Sequence, residues 1–101
     1  MKIEAGGRKF YFYPDNPEEG WIQIKVPSDT SEEQIEDEDF WCNVIIDWHN
    51  VEDDDESALV CSPENIKYVM KESAIIRMFV MKCFSDLANE ITEYRKQLEK
   101  N

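Results

Sequence analysis

Phe40–Val51, FWCNVIIDWHNV, is the stretch on which the fold turns. Read with a period of two, it places Phe40, Cys42, Val44, Ile46 and Trp48 on one face, all apolar. Trp41, Asn43, Ile45, Asp47 and His49 fall on the other, which is mixed. One face against a core and one partly in water is a strand pattern. The spacing therefore predicts a β-strand over 40–51, with ends roughly 40 Å apart at about 3.3 Å per residue.

Working toward the N-terminus, Trp21–Val26 (WIQIKV) alternates cleanly, with Ile22, Ile24 and Val26 on one side and Trp21, Gln23 and Lys25 on the other. Lys9–Tyr13 (KFYFY) does the same with Phe10 and Phe12 against Tyr11 and Tyr13. Pro14, Pro17 and Gly20 lie between them, so strands over about 8–14 and 20–27 form a hairpin with a seven-residue loop, which Pro27 ends. Ala58–Cys61 offers a short fourth strand.

Toward the C-terminus, Ser62-Pro63-Glu64 is a helix start, with a serine cap, proline at the first helical position and an acid in the first turn. Without a later Gly or Pro, the region 63–98 reads as helical, with a break near Ser73 dividing it into two helices. Val80, Phe84, Leu87, Ile91, Tyr94 and Leu98 follow at heptad spacing, which offers a dimer seam as the alternative to lining the sheet. A helix to residue 98 would run about 39 Å, against about 26 Å for a compact domain of this length, so its end should project or pair. The fold class is α+β: one domain over 1–101, in which a small antiparallel sheet of three to four strands precedes a long C-terminal helical region packed on it.

The net charge of −12 is unevenly placed. Residues 29–56 hold thirteen acids and no Lys or Arg, whereas the rest of the chain holds ten acids and eleven bases. A single-sign block creates a directed field, which disfavours nucleic acid and anionic lipid as partners and favours a basic protein surface. Three widely spaced cysteines argue against a disulfide framework and for a reducing, cytoplasmic setting. The first ten residues, MKIEAGGRKF, lack the apolar segment of a signal peptide, and Arg77 and Lys82 interrupt the longest apolar run.

Little in the chain points to catalysis. His49 is the only histidine, and its strand neighbour Cys42 would sit on the opposite face. There is no CxxC or HExxH, and Glu52–Glu56 lacks the alternating ligands and glycine of a calcium loop. Pro14-Asp15 followed by Gln23-Ile24-Lys25 resembles a metal-dependent nuclease signature only faintly, since glutamine stands where an acid is required. The expectation is no enzyme, no cofactor and no metal.

The charge pattern and size do resemble those of nucleic-acid-mimicking inhibitors, many of them small phage proteins directed at restriction, CRISPR or repair enzymes. That resemblance implies a small acidic inhibitory protein that occupies the basic groove of a nucleic-acid-binding protein or nuclease effector. The contact groups would be Glu32, Glu33, Glu36, Asp37, Glu38 and Asp39 on one side, Asp53, Asp54, Asp55 and Glu56 on the other, with Trp41 as aromatic anchor between them. The alternatives are an immunity protein or antitoxin that neutralises a basic toxin, and a dimeric adaptor protein that pairs through the C-terminal helix.

Overall fold

The computed structural model describes residues 7–12, 17–27 and 37–99. Glu32, Glu33, Glu36, Asp15 and most of the 29–39 segment lie outside these. The elements are β1 (Arg8–Tyr11), a 3-10 turn (Pro17–Glu19), β2 (Trp21–Ile24), α1 (Phe40–Val44), β3 (Ile45–His49), α2 (Pro63–Glu72) and α3 (Ala74–Glu99). The three strands form an antiparallel sheet in the order β1-β2-β3, followed by the helices.

The hairpin forms as its alternation dictates. Phe10 pairs with Ile22 and Tyr11 with Trp21. Ile22 and Ile24 are each 1% exposed, whereas Trp21 faces outward between the Lys9 ammonium, 4.0 Å from its ring, and the stacked His49 imidazole at 6.0 Å. At the hairpin's start Gly7 has φ +70°, and a Cβ there would stand 2.4 Å from the Ile24 carbonyl oxygen, so only glycine fits.

The stretch 40–51 is not one strand. Its first five residues form helix α1, with Phe40, Trp41 and Val44 buried, and the strand begins at Ile45. The physical reason lies in the spacing of the apolar side chains. Positions 40, 41, 44, 45 and 48 share one helical face, whereas a strand would turn 41 and 45 away from 40, 44 and 48, and burial against the C-terminal helix selects the helix for the first turn. Within β3 the alternation also breaks. Gln23 pairs with Asp47 but Ile24 pairs with Ile45, so Ile46 is left over as a bulge. Ile45 and Trp48 therefore face the core while Ile46 and Asp47 face out. The proposed fourth strand is likewise absent. Only an isolated bridge, Glu52 to Ala58, closes the chain there, and Val60 is 75% exposed.

The helical region breaks at Ser73, as its sequence suggests. Ser62 caps α2, its hydroxyl accepting from the Asn65 backbone N–H at 3.3 Å. Ser73 ends α2 in an extended conformation, and its hydroxyl accepts from the Ile76 N–H at 3.2 Å to open α3. Arg77 then donates back to the carbonyls of Met70 and Lys71, which the end of α2 leaves unbonded. Ser62→Ala should cost about 1 kcal/mol and lower the melting temperature by about 5 °C, checked by thermal denaturation followed by circular dichroism. An unchanged melt would mean that Pro63 and packing alone set the helix start.

The core joins Ile22, Ile24, Val44, Ile45, Trp48 and Val51 of the sheet side to Ile66, Val69, Val80 and Phe84 of the helices. Within the heptad stripe, Val80 and Phe84 are buried in their own chain and Leu87 packs against that core. These three are not free to form a dimer seam, because the core of their own chain already occupies them. Ile91 is half-buried, while Tyr94 and Leu98 are 41% and 56% exposed. From Thr92 to Glu99 every residue of α3 is exposed, so the end of the helix extends past the core.

Candidate interaction surface

Breaking the 40–51 strand changes how the acids are arranged. Instead of standing at opposite ends of a rigid 40 Å rod, the two described acidic segments are both fastened to α2, at consecutive residues. Asp39 pairs with Lys67 at 2.6 Å, and Asp53 accepts from the Tyr68 hydroxyl at 3.0 Å. The hydrogen bond from Lys67 to Asp39, reinforced by the carboxylate charge, raises the Lys67 pKa. The bond to Asp53 raises that of Tyr68 in the same way. Neither anchor was singled out in the sequence. The only signal was position: Lys67 and Tyr68 are exposed residues on a helix whose Ile66, Val69 and Met70 are buried.

The segment Glu52–Glu56 is an ordered turn with its own backbone bonds. Asp53 and Ser57 bond through the Asp53 N–H at 3.0 Å, and the Glu56 N–H reaches the Asp53 carbonyl at 2.8 Å. Glu56 takes a positive φ of 64° to close it. Asp55 accepts from the Ser57 N–H at 3.0 Å, and that bond lowers its pKa. Asp54, Asp55 and Glu56 stay exposed, and Asp53 is half-buried under Tyr68. On the other side, Asp37 accepts from the Asp39 N–H at 3.0 Å, and Asp37, Glu38 and Asp39 are all exposed. The frame thus holds carboxylates outward on both flanks of α2.

Trp41 does not join them as a surface anchor. It is 7% exposed, packed edge-on against Phe40 and Phe84 with ring centroids 5.1 and 5.6 Å away. The strand reading put it on a mixed face, and the helix turns it into the core. The exposed aromatic of this surface is Tyr68, 43% accessible.

The remaining chemistry is sparse. Burial pushes the thiols of Cys61 and Cys83 up to about 11 and raises Cys42, so all three favour the protonated, unreactive form at neutral pH. Cys42 is on α1, its sulfur 3.6 Å from the Pro63 carbonyl, while His49 stacks on Trp21 in the sheet. Gln23 bonds the Gly7 carbonyl at 3.3 Å. Among the described residues no group of three or more His, Cys, Asp or Glu is placed to hold a metal ion. Among them, too, no helix is long and apolar enough to cross a membrane.

The sequence profile described as YdaY prophage protein matches residues 16–101, and the chain belongs to that family. No curated protein and no solved structure matches it. The matched span takes in both acidic segments and all of the helices, and omits β1.

Proposed function

We propose that this YdaY-family protein is an inhibitory binding protein that offers its carboxylates to the basic nucleic-acid-binding groove of a target protein. One observation carries the reading: two acidic segments, without an intervening Lys or Arg, are each fastened to α2, at Lys67 and at Tyr68, with their remaining carboxylates exposed. Carboxylates held in place keep their mutual spacing when a partner approaches, so less conformational entropy is lost on binding than from a free acidic tail. Repulsion among so many like charges opposes folding, and a positive partner relieves it. Prophage origin suits a role against a bacterial nucleic-acid-handling protein, with the bacterial cytoplasm as the place of action.

The test is capture from a nuclease-treated bacterial lysate at two salt concentrations. The native protein is run beside a variant with Asp37, Asp39, Asp53, Asp54 and Asp55 changed to Asn and Glu38 and Glu56 to Gln. A nucleic-acid-binding protein captured by the native chain alone, and released by salt, is the expected result. Equal capture by both proteins would sink the proposal.

A further inference from the structure

The acidic surface is not the only one that calls for a partner. Beside it, a cleft of about 330 Å³ lies where α1, α2 and the start of α3 meet. Its floor is apolar: Trp41, Met70 and Met81. One wall carries Asp37 and Glu38, and the facing helices carry Lys67, Lys71 and Arg77. Beyond the cleft the apolar surface continues along α3 to Met78 and Ile75, which are 70% and 79% exposed. From Ser73 to Ser85 the chain has two bases, Arg77 and Lys82, and no acid. Around the cleft bases therefore stand opposite acids, Lys67, Lys71 and Arg77 against Asp37, Glu38 and Asp39.

We infer that this cleft and the Ile75–Met78–Met81 strip form a two-fold interface with a second copy of the chain. Charge complementarity selects that occupant. A two-fold contact places a patch against itself, so a patch with opposite charges on either side of an apolar centre complements its own copy. The rotation brings the Asp37 and Glu38 wall of one copy to the Lys71 and Arg77 wall of the other. Methionines adapt their shape at low cost and suit a contact of this kind. The arrangement leaves the 53–56 turn outside the interface, so a dimer would present two acidic faces.

This inference does not depend on the proposed inhibitory role, because mass is read without any target. Light scattering after size exclusion, with the chain loaded at about 100 µM, should give a mass above the 12.0 kDa of one chain that rises toward twice that value as the loading increases. Met78→Asp should yield a folded monomer, its fold checked by circular dichroism. Glu38→Lys and Lys71→Glu should each weaken association at least about tenfold by setting like charges opposite each other, and the double swap should restore it. A native chain that is monomeric at that concentration overturns the inference. So does a dimer that survives Met78→Asp, or one that is lost only on Leu98→Glu, which would put the contact at the end of α3.

Discussion

Replacing Phe84 by alanine should cost about 4 kcal/mol and lower the melting temperature by about 20 °C. The side chain is 6% exposed and meets Phe40 and Trp41 edge-on, with centroids 5.7 and 5.6 Å away. Alanine there would remove a buried ring and leave a cavity between α3 and α1, since three aromatics share the space. The effect should not be spread evenly. Helix α1 has five residues, and Asp39 at its N-cap makes no side-chain cap bond. Isolated helices shorter than about 12 residues are marginal in water, so α1 persists through its contacts. Loss of the Phe84 ring should therefore free α1 first, and hydrogen exchange at Val44 and its neighbours should quicken before exchange in β2 does. Phe84→Leu should recover much of the stability by refilling the volume. Leu98→Ala, at a position 56% exposed, is the control and should change little. A loss below about 1 kcal/mol for Phe84→Ala would mean that α1 does not lean on α3.

The same triad of rings explains which parts of the fold were legible in the sequence. The hairpin, the Ser62 start of α2 and the Ser73 break each rest on chemistry within a few residues: alternation, a hydroxyl acceptor, a proline. Such signals can be read locally. Whether 40–44 is strand or helix cannot, because Phe40, Cys42 and Val44 fit a strand face while Phe40, Trp41 and Val44 fit a helical one, and the choice is made by Phe84, some forty residues later. The bulge at Ile46 has the same character, being set by pairing to β2. Of the candidate surface, the sequence displayed the carboxylates but not their frame. Lys67 and Tyr68 lie outside the acidic block, and only the fold brings them to Asp39 and Asp53.

That frame decides what charge removal should do, and the expected effect on binding is the largest of all. Changing Asp37, Asp39, Asp53, Asp54 and Asp55 to Asn and Glu38 and Glu56 to Gln takes the net charge from −12 to −5. Each replacement keeps an acceptor oxygen, so Tyr68 and Ser57 can still donate to positions 53 and 55. The fold should hold, with stability unchanged or slightly higher as mutual repulsion falls. Association with a basic groove should slow by about 10- to 1,000-fold at low salt as steering is lost, and its salt dependence should flatten.

Acid should act in the same direction on the native protein. The lowered pKa of Asp55 stabilises the turn above the ordinary carboxylate range, a contribution lost as pH falls through the lowered value. The raised pKa of Lys67 stabilises its pairing below the ordinary lysine value, a contribution lost only as pH rises through the raised one. Between those limits the frame is intact, so binding should be flat across neutral pH and weaken as pH falls through the lowered value of Asp55. Splitting the variant separates the two flanks. If neutralising 53–56 alone removes most of the binding, the turn docks the target and the 37–39 flank is left for the second copy. If 37–39 alone removes it, target and second copy compete for one surface, and inhibition should weaken as protein concentration drives the dimer.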